Sequence, residues 1–149
     1  MNLYDNEFYM EDINFVASLP LPWEKLKSIM LSGATGLIGS FLVDVILEKN
    51  IRDNLNCTVY ALGRNKEKAM VRFSKNQNNP YLVFIPYDVK LPLVIDNVGV
   101  VDYILHLASN THPMLYATDP IGTITTNIIG LQNMLEFSVE HKASRFVFS

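Results

Sequence analysis

The chain has 149 residues and is 49% hydrophobic, which is enough to bury the core of one domain. Its net charge of −3 is spread along the sequence without the basic patch that nucleic-acid binding needs. The single cysteine excludes an internal disulfide, and no zinc-ligand pattern, signal peptide or membrane-spanning run is present. These features predict a cytoplasmic protein without a metal, nucleic-acid or membrane partner.

Residues 1–27 form an N-terminal extension with a helical pattern of its own. Phe8, Ile13, Phe15, Val16 and Leu19 are spaced to lie along one side of a helix, which Pro20 would end. This aromatic content indicates that the extension packs on something. We expect a helix docked on the following domain or on a partner subunit.

From residue 28 onward, short apolar runs alternate with helical stretches. The predicted strands cover residues 29–31, 58–62, 82–85, 103–107 and 145–148, and the predicted helices cover 37–49, 66–73 and 120–141. A polar loop is expected after the fourth strand, and residues 90–100 are expected to hold little regular helix. Apolar strands separated by helices predict an α/β fold with a doubly wound parallel sheet, in the order 3-2-1-4-5.

Three glycines stand between the first predicted strand and the first long helix. Gly33 can make a tight turn, Gly36 lets the backbone approach a pyrophosphate, and Gly39 lets the helix pack closely on the strand. The N–H groups at the helix start then favour a negatively charged ligand. In this strand–turn–helix context the glycines predict a site for a dinucleotide.

Four segments together carry a resemblance to a known family. They are residues 33–39, 102–109, 119–135 and 145–149, in this order along the chain. The chain resembles the extended short-chain dehydrogenase/reductases, specifically the NAD(P)-dependent nucleotide-sugar epimerase/dehydratase group and its UDP-glucuronate decarboxylase-like branch. The resemblance implies that residues 28–149 are a Rossmann-like NAD(P)-binding domain. Because the sequence stops on the fifth strand, we expect a sheet truncated there and a longer parent enzyme.

The resemblance also implies a reaction for that parent. Enzymes of this group oxidise the sugar at C4 with NAD, act on the 4-keto sugar as lyases or isomerases, and often return the hydride. Their proton-transfer base is a tyrosine followed four residues later by a lysine. No such pair occurs in these 149 residues, since Lys90 lies only three residues after Tyr87. We therefore expect no catalytic residue in this chain, and no activity from it alone.

Individual site residues follow from the same resemblance. The cofactor-binding residues that it implies are, for the pyrophosphate, Gly33, Thr35, Gly36, Leu37, Ile38 and Gly39; for the adenine, Asp88 and Val89; for the nicotinamide-side ribose, Leu107, Ala108 and Ser109; and, near the active site, Asn127. Asn110, Thr111 and His112 lie where a nucleotide sugar would enter. His106 is interpreted as a core-facing histidine of the fourth strand.

The choice between NAD and NADP stays open at this level. An acidic residue usually follows the second strand and holds the ribose hydroxyls of NAD, but Arg64 stands there in this chain. Arg64 could pair with a 2′-phosphate or stack on adenine.

Two further functions remain as alternatives: an NADP-dependent reductase of the same superfamily, and a non-catalytic dinucleotide-binding scaffold. We also expect a homo-oligomer, formed through the fifth strand or the N-terminal extension.

Overall fold

The computed structural model describes residues 3–96, 98–109 and 113–149, except for the side chain at position 115. Its helices are α1 (Glu7–Ser18), α2 (Leu37–Asp53), α3 (Lys66–Arg72), α4 (Pro113–Thr118) and α5 (Pro120–Glu140). Its strands are β1 (Ser28–Ser32), β2 (Thr58–Gly63), β3 (Leu82–Pro86), β4 (Tyr103–His106) and β5 (Arg145–Phe148).

The five strands form one sheet in the order β3-β2-β1-β4-β5, and every neighbouring pair is parallel. This confirms the predicted fold class and strand order. In the register of the sheet, Ser32 at the end of β1 lies level with Leu62 of β2 and His106 of β4. The carboxyl ends of the three central strands therefore meet at one edge.

Both faces of the sheet are covered, as the near-continuous apolar strands predict. On one face, Leu31 of β1 belongs to a core with Val43 and Leu47 of α2. On the other face, Met30 belongs to a core with Met134 and Phe137 of α5. Successive residues of the central strand thus serve opposite cores, because side chains alternate across a strand.

The structure changes several predicted boundaries. Helix α2 runs to Asp53 rather than residue 49, and Asn54 ends it in the left-handed conformation that asparagine tolerates. Strand β4 ends at His106, one residue early. The polar loop predicted after β4 contains the short helix α4, whose six residues are too few for a periodic signal. In residues 90–96 and 98–100 there is no helix, as predicted.

The N-terminal extension packs on the sheet domain. Ile13 and Ala17 of α1 are buried against Val45, on the side of α2 that faces away from the sheet. Helix α2 is therefore covered on two sides, which explains its almost continuous apolar run at residues 41–47. Phe8 and Phe15 of α1 remain exposed.

A buried polar cluster fastens the extension to two helices of the domain. The Asp44 carboxylate of α2 accepts hydrogen bonds from the Tyr4 and Tyr9 hydroxyls at 2.8 and 2.6 Å, and it lies 2.7 Å from the Arg72 guanidinium of α3. Asp44 is only 4% exposed. Burial, and then the neighbouring Asp44 charge, raise the pKa of Tyr4 to about 12, so its hydroxyl keeps the proton that it donates.

No helix in the described ranges is both long enough and apolar enough to span a membrane.

Candidate functional site

An open cavity of about 490 Å³ lies at the carboxyl edge of the sheet, where the chain turns out of β1, β2, β3 and β4. We call it the edge cavity. Strands β2 and β3 lie on one side of β1, and β4 and β5 lie on the other, so the strand order reverses between β1 and β4. Open α/β sheets bind ligands at such a reversal point. Its volume lies within the range of small-molecule and cofactor sites. Its lining residues are Gly33, Thr35, Gly36, Leu37, Ile38, Gly39, Leu62, Gly63, Arg64, Lys68, Tyr87, Asp88, Val89, Leu107, Ala108, Ser109, Thr126 and Ser149.

The glycine turn after β1 forms one wall of the edge cavity, and two of its glycines are required by the fold. Gly33 has φ +70°, and a Cβ atom there would lie 2.8 Å from the Leu107 carbonyl carbon. A Cβ atom on Gly39 would overlap the Gly33 carbonyl oxygen and lie 3.0 Å from the Ala34 Cα. Gly39 thus lets α2 pack on the turn itself, rather than on the strand as the sequence analysis expects.

Gly36 has a different role from its two neighbours. Its backbone is extended, with φ −77° and ψ 175°, which any residue can adopt. A Cβ atom there would have a single neighbour within 4 Å, the Gly33 carbonyl oxygen at 3.2 Å. Since Gly36 lines the edge cavity, the absence of its side chain keeps space open for a ligand.

The start of α2 presents backbone donors to the edge cavity. Gly36 is the N-cap and has no side chain to cap the helix, and the first helical bond runs from the Ser40 N–H to the Gly36 carbonyl. The N–H groups of Leu37, Ile38 and Gly39 therefore have no carbonyl partner within the helix. Donors at a positive helix end are suited to phosphate groups.

The opposite wall follows β2 and β3. Arg64 is exposed directly after β2, and Lys68 lies one helical turn further along, in α3. After β3, the Asp88 carboxylate accepts a hydrogen bond from the Lys90 N–H at 3.0 Å, so it also shapes its own turn. The next residue, Val89, is buried under α5, where a Cβ atom on Gly130 would lie 2.9 Å from it.

Tyr87 also borders this wall. Its hydroxyl donates to the Leu91 carbonyl at 2.7 Å, and burial, aided by the Asp88 charge, raises its pKa to about 12. Tyr87 is therefore a neutral hydroxyl already engaged in the turn after β3, which leaves it without the spacing or the freedom of a proton-transfer tyrosine.

The third wall is the segment after β4. Leu107, Ala108 and Ser109 line the edge cavity, and the Ser109 hydroxyl donates to the Asn127 side-chain oxygen at 2.9 Å. Asn127 itself does not line the cavity and reaches it only by this hydrogen bond to Ser109, whereas its neighbour Thr126 does line it. The predicted sugar-binding residues Asn110, Thr111 and His112 lie outside the described residues.

His106 lies behind this wall. It is 3% exposed, and its Nδ1 lies 2.7 Å from the hydroxyl of Ser32. Burial lowers the pKa of His106, so the ring is neutral at pH 7. It is a core-facing histidine, as the sequence analysis interprets it.

Most of the cofactor residues expected from the sequence are brought together around the edge cavity. All of them line it except Asn127. The lining residues that sequence reasoning did not select as site residues are Leu62, Gly63, Lys68, Tyr87, Thr126 and Ser149. Four of these six lie at or next to the end of a strand, and Lys68 lies in the first turn of α3. The predicted strand ends and the predicted start of α3 could have identified these five residues.

Comparison with known families gives a match over most of the chain. The sequence model described as "NAD dependent epimerase/dehydratase family" matches residues 29–149. The matched region contains all of the sheet except Ser28, together with the edge cavity, while α1 lies before it.

Curated relatives match at moderate identity. UDP-glucuronic acid decarboxylase 3 of Arabidopsis thaliana is 38% identical over 107 residues, which cover 72% of this chain and 29% of the relative. UDP-glucuronic acid decarboxylase 1 of Danio rerio is 34% identical over 113 residues, which cover 73% of this chain and 24% of the relative. The chain thus spans 24–29% of the length of these two relatives.

Solved structures share the fold. Pen from Bacillus thuringiensis superimposes with a TM-score of 0.67 at 25% identity, over 83% of this chain and 37% of that one. The dTDP-glucose 4,6-dehydratase DesIV from Streptomyces venezuelae, solved with NAD and TYD bound, gives 0.67 at 23% identity, over 80% and 38%. The yeast methylglyoxal/isovaleraldehyde reductase Gre2, solved with NADPH, gives 0.65 at 23%, over 81% and 36%.

Proposed function

The chain belongs to the NAD dependent epimerase/dehydratase family, and we propose that it is the cofactor-binding part of a nucleotide-sugar epimerase, dehydratase or decarboxylase. The observation that carries the proposal is the edge cavity, where a glycine turn and uncapped helix N–H groups stand at the reversal point of a parallel sheet. The relatives named as UDP-glucuronic acid decarboxylases support the substrate class.

The residues around the edge cavity fit NAD or NADP. Backbone N–H groups of Leu37, Ile38 and Gly39 would bind the pyrophosphate, because they are donors at a positive helix end. Asp88 and Val89 would border the adenine, and the 107–109 segment would border the nicotinamide-side ribose, with Asn127 supporting Ser109. The bound dinucleotide would supply hydride transfer.

In the parent enzyme we propose that the reaction passes through a 4-keto sugar. A ketone at C4 acidifies the neighbouring carbon, which permits epimerisation, dehydration or decarboxylation. Asn110, Thr111 and His112 follow the 107–109 wall in sequence, so we propose them as sugar-contacting residues.

These 149 residues alone are expected to show no turnover with a UDP-sugar, because they contain no tyrosine followed four residues later by a lysine. The measurement is the absorbance change of the nicotinamide on mixing the chain with NAD or NADP and a UDP-sugar. Detectable oxidation of the sugar would contradict the assignment of the proton-transfer pair to another part of the enzyme.

Calorimetric titration with NAD and NADP tests the cofactor site, and Arg64→Ala is the informative variant. Arg64 and Lys68 are the cationic side chains that line the edge cavity. If Arg64 pairs with the 2′-phosphate, removing it should weaken NADP binding roughly tenfold, while NAD changes little. Arg145→Ala is the matched control, since this exposed arginine lies on β5 and does not line the cavity. Equal losses for the two dinucleotides would instead indicate stacking on adenine.

The same two cations favour a second candidate, an NADP-dependent reductase of the same superfamily. The only carboxylate lining the edge cavity in the described residues is that of Asp88, which follows β3 rather than β2. Among the described residues that line the cavity, none after β2 therefore carries a carboxylate that would repel a 2′-phosphate. Turnover of an aldehyde by the complete enzyme would favour this candidate, and a scaffold role would leave the complete protein inactive with both substrate classes.

We propose that residues 1–27 are an extension and residues 28–149 the dinucleotide-binding domain of a cytoplasmic homo-oligomer. The packing of α1 on α2 supports the role of the extension. Within the described residues β5 pairs only with β4, and Phe8 and Phe15 of α1 are exposed. An unpaired strand edge and exposed aromatic side chains are surfaces on which a second copy could associate.

A further inference from the structure

The hydroxyl of Ser32 joins two walls of the edge cavity. Ser32 is the last residue of β1 and is fully buried. Its Oγ accepts hydrogen bonds from the N–H groups of Leu107 at 3.1 Å and Ala108 at 3.2 Å, and it lies 2.7 Å from Nδ1 of His106. Ser32 immediately precedes the glycine turn, so these hydrogen bonds link the turn to the segment that follows β4.

The donors and acceptors of this cluster fit one histidine tautomer. A serine hydroxyl has one hydrogen and two lone pairs. Two backbone N–H groups point at the lone pairs of Ser32, with that of Leu107 shared with the Ser32 carbonyl, so the hydroxyl hydrogen suits an unprotonated Nδ1 of His106. The neutral ring that burial favours is the form this bond requires.

Close packing also joins the two walls. The Gly33 Cα approaches the Leu107 carbonyl so closely that no Cβ atom would fit between them. Leu107 and Ala108 both line the edge cavity, whereas Ser32 and His106 do not. Neither side chain therefore contacts a ligand in the cavity, and any effect on binding must pass through the segment that they hold.

We propose that Ser32 and His106 are positioning residues that hold the 107–109 wall in register with the glycine turn and thereby set the affinity for the dinucleotide. This inference rests on the proposed function. The pair holds the backbone of the wall in its binding conformation before the ligand arrives. Less conformational entropy is therefore lost on binding.

Ser28, at the other end of the same strand, provides a matched control. It is also buried, at 8% exposed, and its hydroxyl donates to the Val100 carbonyl and accepts from the Asp102 N–H at 3.0 Å. Ser28 does not line the edge cavity, and it lies at the amino end of β1, at the far end of the strand from the cavity. Ser28→Ala therefore removes comparable hydrogen bonds without touching the site.

The test is the Kd for NAD or NADP in the 149-residue chain, measured by calorimetry for wild type, Ser32→Ala and Ser28→Ala. We expect Ser32→Ala to raise the Kd about tenfold, because the Ala108 N–H loses its acceptor and the Leu107 N–H keeps only the Ser32 carbonyl at 3.2 Å. Ser28→Ala should leave the Kd within about twofold. Ser32→Thr keeps the hydroxyl and should bind more tightly than Ser32→Ala. Equal Kd values for the two alanine variants would overturn the proposal.

Amide hydrogen exchange without ligand provides a second measurement. In Ser32→Ala the Ala108 amide should exchange faster relative to the amides of β1, and in Ser28→Ala it should not, whereas the Leu107 amide keeps its bond to the Ser32 carbonyl in both. Unchanged exchange at the Ala108 amide in Ser32→Ala would overturn the proposal even if the Kd rises. If the wild-type chain binds neither dinucleotide, the proposed function itself fails and this inference falls with it. If wild type binds and the alanine variants do not differ, only this inference fails.

Discussion

Replacing Gly36 by valine is expected to weaken dinucleotide binding by about a hundredfold or more while the chain stays folded. The extended backbone of Gly36 is open to any residue, and a Cβ atom would have one close neighbour, at 3.2 Å. The added side chain would occupy space in the edge cavity beside the N–H groups of α2. A pyrophosphate could then no longer approach these donors.

Calorimetry with NAD and NADP measures the effect, and thermal unfolding by circular dichroism shows whether the fold persists. Gly99→Val is the control, because nothing lies within 4 Å of a Cβ atom there and Gly99 does not line the cavity. Gly33→Val and Gly39→Val should instead disrupt the fold, since their Cβ atoms would meet backbone. Wild-type affinity in Gly36→Val would rule out the edge cavity as the dinucleotide site.

Removing the carboxylate of Asp44 is expected to lower the stability of the fold strongly. Asp44→Ala should lower the free energy of unfolding by about 3–5 kcal/mol, because the Arg72 guanidinium would keep its largely buried position without a counter-charge. The Tyr4 and Tyr9 hydroxyls would lose the carboxylate to which they donate at the same time. A change of this size is a large share of the stability of a typical domain.

Urea unfolding of Asp44→Ala and Asp53→Ala measures the contrast. Asp53 lies on the same helix and pairs with Lys49, but it is exposed to solvent, so its replacement should change the urea midpoint very little. Similar midpoints for the two variants would show that the buried cluster contributes no more than a surface ion pair.

The fold could be predicted from the sequence because its signals are local. Apolar runs of strand length, separated by helical stretches, indicate a parallel sheet, and the order of strands follows from the handedness of their connections. The cavity walls could be predicted for the same reason, since the carboxyl ends of parallel strands meet at one edge. A short element such as α4 cannot be predicted in this way, because six residues are too few to show a helical period of apolar side chains.

The polar contacts of the interior could not be predicted, since they join residues that are distant in sequence. Ser32 and His106 are 74 residues apart, and Tyr4 and Arg72 are 68 apart. Their partners become visible only when the strands and helices are assembled. Asp44 is an exception, because it is the one charged residue in the apolar run at residues 41–47. A carboxylate at such a position either faces solvent or needs a buried partner.

The docking of α1 on α2 has a consequence for the order in which the chain is built. Tyr4 and Tyr9 are synthesised before their acceptor Asp44, and Arg72 follows still later. The apolar side of α1 therefore stays unmatched until α2 has been made and has formed. A helix that is made before its partner thus reaches its native place only after that partner does.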